Sequence, residues 1–361
     1  HGVQTGDVGL MGDGSGEAVL WARADRDARL LVEWSTTESF QDATLLQGPA
    51  ALAEADYTAK LTLDGLPAGQ RIFYRARWQD LSDANAVSED FLGSFATAPA
   101  APRDIRLVWS GDTAGQGWGI NPEWGGMRIY ETMRQQRPDL FLHSGDTIYA
   151  DGPILPAVAL PDGTIWKNLF LPEKAKVAET LAEFRASYKY NLLDQNLVAF
   201  NAEVPMIAQW DDHETTNNWY PDELLAADER YTVKSAALLG ARAKRAFLEY
   251  MPVAERDGGR ERIYRKISYG PQLDVFVIDM RSFRGPNTAN RQESEGPETA
   301  FLGAQQLHWL EAGLKASTAT WKIVASDMPI GLIVWDNYAV VCTETQRFEE
   351  PVVGFGSGKL G

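Results

Sequence analysis

Acidic residues follow three apolar runs of this sequence, close to the points where candidate strands end. They are Asp112, Asp146 and Asp212. In open α/β sheets, sites form beyond the carboxyl ends of the strands, so we expect these carboxylates to converge. Unpaired carboxylates in close contact repel and raise one another's pKa, and a multivalent cation removes that cost. The sequence therefore predicts a cation site formed by these three side chains.

The residue types at this predicted site favour hard metal ions. Carboxylate oxygens suit Ca²⁺, Mg²⁺, Mn²⁺ or Fe³⁺ rather than metals that prefer thiolates. Tyr149 follows Asp146 closely enough to reach the same ion if the loop turns back, and a coordinated phenolate indicates Fe³⁺. One carboxylate can bridge two ions ~3.5–4 Å apart, a pair that generates hydroxide at neutral pH and supports in-line displacement at phosphorus. His213 is a candidate proton donor to the leaving oxygen.

Several nearby residues have two interpretations. A single Gly-Asp after a strand is more often a turn or a helix cap than a ligand, so the hypothesis depends on all three carboxylates together. Arg281 follows a candidate strand, and it either binds phosphate in a bidentate manner or pairs with Asp279. Asp327 follows another candidate strand, and it is either a further site residue or a cap. His143 and His308 lie within apolar patterns, which favours structural roles.

Two patterns of hydrophobicity divide the chain. Residues 1–97 alternate with period two, which is typical of half-buried antiparallel strands and predicts a small β-sandwich. A Pro-bearing linker is predicted at 98–104, and from 105 onward short apolar runs alternate with helical stretches, which predicts a layered α/β domain. The candidate strands there are 105–110, 139–143, 206–210, 262–269, 273–279 and 321–325, and the candidate helices are 126–137, 177–199, 224–250 and 304–315.

Composition excludes some functional classes. The 361 residues carry a formal net charge of −16, so generic binding to nucleic acid or to anionic membranes is disfavoured. Cys342 is the only cysteine, which excludes an internal disulfide and a thiolate zinc cluster. The apolar run 323–335 is interrupted by Asp327 and Pro329, so no membrane span is predicted. The sequence carries no signal of oligomeric state.

Four strings of the sequence resemble the PhoD-like alkaline phosphatase/phosphodiesterase family. They are SGDT at 110–113, SGDTIYAD at 144–151, QWDDHETTNNW at 209–219 and VIDMRSF at 277–283. Near the N-terminus, VQTGD at 3–7 and AVLWAR at 18–23 resemble the fibronectin-III-like N-terminal domain of that family. The resemblance covers roughly residues 3–338.

The resemblance implies a fold and an activity. The implied fold is a metallophosphoesterase-type α/β/β/α sandwich over 105–338, preceded by a fibronectin-III-like β-sandwich. The implied activity is alkaline phosphatase D-like hydrolysis of small phosphate monoesters and diesters by a metal-bound hydroxide. Fe³⁺ and Ca²⁺ are the implied ions, with Mn²⁺ or Mg²⁺ as other hard ions. Family members are exported, so a secreted or periplasmic protein is expected, with His1 near a processed N-terminus.

The resemblance also assigns roles to individual residues. Asp112 takes the place where family members have a cysteine or an acid. Asp146 is expected to bridge two ions, and His213 to lie near the phosphate. The implied metal ligands are Asp112, Asp146 and Tyr149 for the iron-type site, and Asp212 and Asn217 for the second site.

The chain departs from the family pattern at its C-terminal end. Family members carry later histidines that complete the metal site, whereas no histidine follows His308 here. After Tyr338 the likeness ends, and 339–361 is interpreted as a divergent tail that truncates the catalytic domain. Two alternatives therefore stay open. One is a metal-dependent hydrolase of neutral esters or phosphotriesters, which suits the acidic chain, and the other is a non-catalytic cation-binding module.

Overall fold

The computed structural model describes residues 2–113, 118–254, 262–287 and 294–328. The predicted tail, Cys342 and the end of the predicted catalytic domain lie outside these residues. The strands are β1 (Val3–Leu10), β2 (Gly16–Arg23), β3 (Ala28–Ser35), β4 (Thr44–Ala51), β5 (Thr58–Leu66), β6 (Arg71–Asp80), β7 (Phe91–Ala96), β8 (Leu107–Ser110), β9 (Leu140–Ser144), β10 (Ala157–Ala159), β11 (Ile165–Lys167), β12 (Met206–Gln209), β13 (Arg265–Tyr269), β14 (Leu273–Val277) and β15 (Trp321–Ala325). The helices are α1 (Arg128–Gln135), α2 (Leu181–Asn191), α3 (Gln195–Glu203), α4 (Ala236–Tyr250) and α5 (Ala304–Ala316).

A six-stranded sheet in the order β5-β2-β1-β12-β9-β8 forms the centre of the fold. β8, β9 and β12 are parallel neighbours, so their carboxyl ends lie at one edge. The other sheets are β4-β3-β6-β7, β13-β14-β15 and the hairpin β10-β11. The mixed α/β class predicted from the sequence is confirmed.

Both faces of the central sheet are buried, as the period-two alternation of β9 requires. Leu140 and Leu142 point into a core shared with Val275 of β14, between the two sheets. Phe141 points the opposite way and packs with Phe200 of α3 in a second core. Burying each such side chain contributes roughly 1.5–3 kcal/mol. This two-sided packing fixes the positions of the strand ends.

Helices cover the outer faces of both sheets. Phe184, Phe200 and Phe247 from α2, α3 and α4 belong to the core on the outer face of the central sheet. Leu310 of α5 packs with Phe276 on the outer face of the three-stranded sheet. The layers therefore run helices, six-stranded sheet, three-stranded sheet and helix. Within the described ranges, none of the helices is long and apolar enough to cross a bilayer.

Two predicted helices differ from those observed. The predicted helix 177–199 is two helices, because the Asp194 side chain accepts a hydrogen bond from the Leu197 amide and caps a new helix, α3. The predicted helix 224–250 begins only at Ala236, where the Ser235 hydroxyl accepts from the Leu238 amide. A capping side chain satisfies the otherwise unpaired amides of a first turn, so each of these residues starts a helix.

The N-terminal strands are not confined to a separate sheet. β1 pairs in parallel with β12 through Gly6 and Met206, which joins β1, β2 and β5 to the sheet that carries the carboxylates. A Cβ at Gly6 would lie 2.5 Å from the Met206 carbonyl oxygen, so only glycine permits this approach. The predicted β-structure of 1–97 is observed, and the predicted domain boundary at 98–104 stays a prediction.

A buried ion pair links β1 to the three-stranded sheet. The Arg265 guanidinium donates to both carboxylate oxygens of Asp7 at 2.7 and 2.8 Å, and the two side chains are 5% and 0% exposed. Arg265→Met is expected to lower the free energy of unfolding by about 3–5 kcal/mol, because it leaves a buried carboxylate unpaired. Urea unfolding measures this loss. Arg26→Met, which breaks an exposed pair with Asp25, should change stability by less than about 0.5 kcal/mol.

Candidate metal centre

The three predicted carboxylates stand at one edge of the central sheet. Asp112 follows β8, Asp146 follows β9, and Asp212 follows β12. Because these strands are adjacent and parallel, the loops after them are neighbours in space. The convergence expected from the sequence is what the structure contains.

The loops that carry Asp112 and Asp146 hold each other in an uncommon backbone conformation. Asp112 and Asp146 have φ values of 58° and 53°, a left-handed region that aspartate tolerates better than most residues. The Asp112 amide donates to the Gly145 carbonyl at 3.2 Å, and the Thr113 amide donates to the Asp146 carbonyl at 2.8 Å. Gly145 has a φ of 96°, and a Cβ there would lie 2.5 Å from the Asp211 Cβ.

Three potential ligands form a compact group. Asp146, Asp212 and His213 each offer one ligand atom, and these atoms lie within 4.8 Å of one another. Asp146 and Asp212 are buried, with 6% and 2% exposed. Burial and the negative charges of Asp211 and Asp212 raise the pKa of Asp146 well above its usual range. A cation at this position would remove the repulsion that causes the shift.

Tyr149 reaches the same site, as its spacing from Asp146 predicts. Its hydroxyl donates to an Asp112 carboxylate oxygen at 2.5 Å, and its ring stacks on His213 with centroids 4.3 Å apart. Burial and the nearby Asp146 charge raise the pKa of the Tyr149 phenol. The phenol therefore keeps its proton unless a cation stabilises the phenolate.

His213 is held by a carboxylate on another loop. Its Nδ1 lies 2.8 Å from Asp151 Oδ1, and its Nε2 lies 3.9 Å from Asp212 Oδ1. Burial opposes a charged ring, but the hydrogen bond to Asp151 and the Asp212 charge outweigh it and raise the pKa of His213 to about 9. The contact with Asp151 fixes the orientation of the ring. In the metal-free protein the ring is cationic near neutral pH, so its Nε2 can donate a hydrogen bond to a substrate and can bind an ion only after it loses its proton.

Asn217 and Arg281 stand beside this group with other contacts. The Asn217 backbone amide donates to Asp151 Oδ2 at 2.9 Å, so its role as a side-chain ligand stays a prediction. The buried Arg281 side chain donates from Nε to Asp211 Oδ1 at 2.6 Å, while its backbone amide donates to Asp279. Its guanidinium therefore pairs with Asp211, a partner that the sequence analysis did not consider, rather than with Asp279.

Comparisons with known proteins assign the chain to a family. The model described as "PhoD-like phosphatase" matches residues 107–347, and the model of the N-terminal domain of such phosphatases matches residues 1–99. The chain belongs to the PhoD-like phosphatase family. The family resemblance inferred from the sequence is confirmed.

Individual relatives give the same result. The chain is 26% identical over 337 residues to alkaline phosphatase D of Bacillus subtilis (strain 168), a match that covers 87% of the chain and 54% of the relative. The chain thus spans about half the length of this curated relative. A solved structure titled "Structure of PhoD" matches at 24% identity and a TM-score of 0.70, over 92% of the chain and 62% of that structure. Purple acid phosphatase PPD1 from yellow lupin (Lupinus luteus) seeds matches at 14% identity and a TM-score of 0.53, over 99% of the chain and 55% of that structure.

The donor set of this member of the PhoD-like phosphatase family fits a hard cation. Carboxylate, phenol and imidazole groups lie together at one edge of the sheet, and such groups are ligands of hard metal ions. The raised pKa of Asp146 indicates that the negative charges around it are not neutralised. Asp212 differs, because burial opposes its ionisation but the charges of Arg281 and His213 hold its pKa below the usual value. The negative charge without a partner is therefore at Asp146, where a cation would be stabilised.

Sequence reasoning missed two positioning residues of the site. Asp151 orients His213. Glu214 connects the loops, because its carboxylate accepts hydrogen bonds from three backbone amides, those of Asp146 at 3.2 Å, Thr147 at 2.6 Å and Asp211 at 2.8 Å. Burial raises the pKa of Glu214 to about 7 despite these hydrogen bonds. Both acids stand inside the quoted family strings, so their position in those strings was the available signal. Their partners are distant in sequence, so the strings alone did not identify them.

Glu214→Ala is expected to destabilise the protein and loosen the metal centre. The substitution leaves three buried amides without their acceptor, and each lost partner costs about 1–3 kcal/mol. We expect the free energy of unfolding to fall by at least about 3 kcal/mol, measured in urea. Titration calorimetry should show at least tenfold weaker metal binding, about 1.4 kcal/mol. Glu123→Ala, which removes one partner of an exposed ion pair, is the control; equal stability losses in both variants would contradict the prediction.

Proposed function

We propose that this chain hydrolyses phosphate monoesters and diesters in a metal-dependent reaction. The observation that carries the proposal is the approach of ligand atoms from Asp146, Asp212 and His213 to within 4.8 Å of one another. Membership in the PhoD-like phosphatase family supports it. The layered arrangement of helices and sheets supports the finer fold assignment, a metallophosphoesterase-type α/β/β/α sandwich after a fibronectin-III-like module.

The protein's own residues have distinct roles in this proposal. Asp112, Asp146, Tyr149, Asp212 and Asn217 are the proposed metal ligands. Bound ions would supply Lewis acidity and an activated water molecule. His213, held by Asp151, donates a hydrogen bond or a proton from Nε2 to an ester oxygen. Arg281 neutralises Asp211 and, from 3.8 Å, supports the charge of Asp212.

Fe³⁺ and Ca²⁺ are the ions that we propose, with Mn²⁺ or Mg²⁺ as substitutes. The short hydrogen bond between the Tyr149 hydroxyl and Asp112 brings a phenol and a carboxylate together, which suits Fe³⁺. The surrounding carboxylates suit Ca²⁺. An iron–phenolate complex is coloured, so visible absorption of the purified protein that is lost in Tyr149→Phe tests this part separately.

Removal and return of metal tests the proposed activity. Elemental analysis of the purified protein is followed by turnover of p-nitrophenyl phosphate and of bis-(p-nitrophenyl) phosphate, before and after dialysis against a chelator. We expect turnover to fall at least a hundredfold without metal and to return with Fe³⁺ and Ca²⁺. Turnover that persists unchanged after complete removal of metal would overturn the proposal.

A phosphotriesterase or neutral esterase is the second candidate. The contact that favours it is the pairing of Arg281 with Asp211, which commits this guanidinium to a carboxylate instead of a substrate anion. A neutral triester needs less positive charge at its site than a phosphate dianion. Turnover of diethyl p-nitrophenyl phosphate that exceeds turnover of the monoester by tenfold or more would favour this candidate over the first.

The cellular location and partner follow from the family alone. We infer a secreted or periplasmic protein that acts on a small phosphate ester and does not bind nucleic acid specifically. Fractionation of the cells that produce the full-length protein tests the location, since recovery in the cytosolic fraction alone would contradict it.

A further inference from the structure

A small pocket adjoins the candidate metal centre at Asp112. Its volume is about 270 Å³, and Ser110, Asp112 and Thr113 form the wall nearest the site. Asp112 is exposed, and its carboxylate accepts the Tyr149 hydroxyl, so this residue belongs both to the site and to the pocket lining. A phosphate ester bound at the metal centre would therefore have this pocket beside it.

Indole and thioether side chains contribute to the rest of the pocket, with Ile120, Ile129 and Tyr130. Trp118 and Trp166 line it together with Met127 and Met133. Trp118 is 43% exposed, and its ring meets Trp166 edge-on with centroids 5.9 Å apart. Trp124 packs on the outer side of Trp166 at 5.3 Å. Exposed tryptophans in one cluster next to reactive groups are unusual on a surface and mark a binding site.

Of the two indoles that line the pocket, Trp166 is held in place by hydrogen bonds, and Trp118 packs against it. Trp166 Nε1 donates to the Asn168 side-chain oxygen at 2.8 Å and to the Gly119 carbonyl at 3.2 Å. The Gly119 amide donates to the same Asn168 oxygen at 2.9 Å, and the Ile120 amide donates to the Tyr190 hydroxyl. A Cβ at Gly119 would lie 2.1 Å from that hydroxyl. Pre-organised rings lose little entropy on binding a ligand.

The chemistry of the lining selects the kind of group that fits. Among the described residues that line it, Asp112 alone carries a charge, so a second phosphate would meet no cation from these residues. The Thr113 hydroxyl is already engaged with Tyr130 and His143, at 2.6 and 2.7 Å. Few polar partners are therefore left for the hydroxyl groups of a sugar. A flat, uncharged ring satisfies these conditions, because it stacks on indole and sulfur without needing hydrogen bonds.

We propose that the pocket formed by Trp118, Trp166 and Met133 beside Asp112 binds a flat aromatic alcohol portion of the phosphate-ester substrate. This inference rests on the proposed phosphoesterase function and adds to it a class of substrate: esters of phenols rather than small alkyl or sugar phosphates. The subsite determines specificity and takes no part in the chemistry.

Binding of three phosphonates to the metal-loaded protein tests the subsite. Phenylphosphonate, cyclohexylphosphonate and methylphosphonate carry the same anionic head and differ in the attached group. By titration calorimetry we expect phenylphosphonate to bind about tenfold or more tightly than methylphosphonate, with cyclohexylphosphonate in between. Quenching of tryptophan fluorescence by phenylphosphonate gives a second readout that does not depend on turnover.

Matched variants locate the preference. Trp118→Leu and Trp166→Leu are each expected to reduce the preference for phenyl over methyl to about threefold or less, while affinity for methylphosphonate stays unchanged. Trp321→Leu, which removes a more exposed indole at the start of β15, should keep the full preference. Melting temperatures identify any variant that is not folded, and two separate variants keep the test valid.

The outcomes separate this inference from the proposed function. Binding of methylphosphonate without a preference for the phenyl compound overturns the aromatic subsite alone, as does a preference that persists in both tryptophan variants. A greater affinity for cyclohexylphosphonate than for phenylphosphonate would overturn the preference for a flat aromatic ring and would show that the pocket binds apolar groups in general. Absence of binding by all three phosphonates, together with absence of turnover, overturns both the subsite and the phosphoesterase.

Discussion

Asp146→Asn is expected to lower the turnover of p-nitrophenyl phosphate by about a thousandfold or more and to remove most of the tightly bound metal. Asp146 lies in the loop after β9, and its carboxylate accepts a hydrogen bond at 3.2 Å from the amide of His213 in the loop after β12. An asparagine keeps the size and one oxygen but removes the negative charge on which a multivalent cation depends. Steady-state kinetics and elemental analysis of the same preparations measure both effects.

Asp162→Asn is the matched control for this substitution. Asp162 accepts hydrogen bonds from Thr164 in an exposed turn, so the same chemical change there should leave activity and metal content within about twofold of the original. If Asp146→Asn retained full turnover with full metal content, Asp146 would not be a metal ligand. The proposed site would then be wrong.

In the metal-free protein, Asp146→Asn is expected to increase stability, although it removes activity and bound metal from the loaded protein. Burial and neighbouring charges raise the pKa of Asp146 in the folded state, so ionisation costs more there than in the unfolded chain. That cost is absent below the unfolded value of about 3.9 and grows as pH rises towards the folded pKa. In a chelating buffer, Asp146→Asn should therefore gain stability relative to the original protein as pH rises from about 4 to 8. A constant difference over this range would contradict the assigned cause.

Local patterns in the sequence were sufficient to predict which residues meet. Asp112, Asp146 and Asp212 each end an apolar run, and the strands before them are parallel neighbours, so alternation and strand direction together predicted their convergence. Tyr149 joined the group because a short loop returns it to the strand edge. The prediction succeeded because these relations depend on a few neighbouring residues and on a general property of parallel sheets.

Relations between distant parts of the chain could not be predicted in this way. Asp151 and His213 are 62 residues apart, and nothing in either segment specifies the other. The sequence offers several acidic residues as partners for Arg281. Its ion pair with Asp211 depends on how β12 and β14 pack. The pairing of β1 with β12 required the close approach at Gly6, which hydrophobic alternation does not encode. These contacts are properties of the assembled fold.

The second large effect is expected at His213. His213→Gln should lower turnover of phosphate monoesters by about a hundredfold to ten-thousandfold, because it removes the proposed donor to the ester oxygen. The ring stacks on Tyr149 and lies among carboxylates, so its loss also perturbs the metal ligands. Metal content measured on the same sample separates the two causes: retained metal with lost turnover assigns the effect to the donor, and full turnover would exclude His213 from the reaction.

Asp151 supplies the sharper test. Its Oδ1 meets His213 Nδ1 and its Oδ2 accepts the Asn217 amide, and an asparagine can keep an oxygen for that amide while it removes the charge beside His213. Removal of its charge by Asp151→Asn should lower the pKa of His213 from about 9, since the hydrogen bond to Asp151 is the strongest of the interactions that raise it. The high-pH limb of the kcat profile is therefore expected to move to lower pH, with turnover at neutral pH about tenfold lower. In a His213→Gln background, Asp151→Asn should have no further effect on turnover, because the ring that it positions is gone. Asp151 would contribute independently of His213 if two results were found together. The losses of turnover in the two single variants would multiply in the double variant, and the pH profile of Asp151→Asn would match that of the original protein.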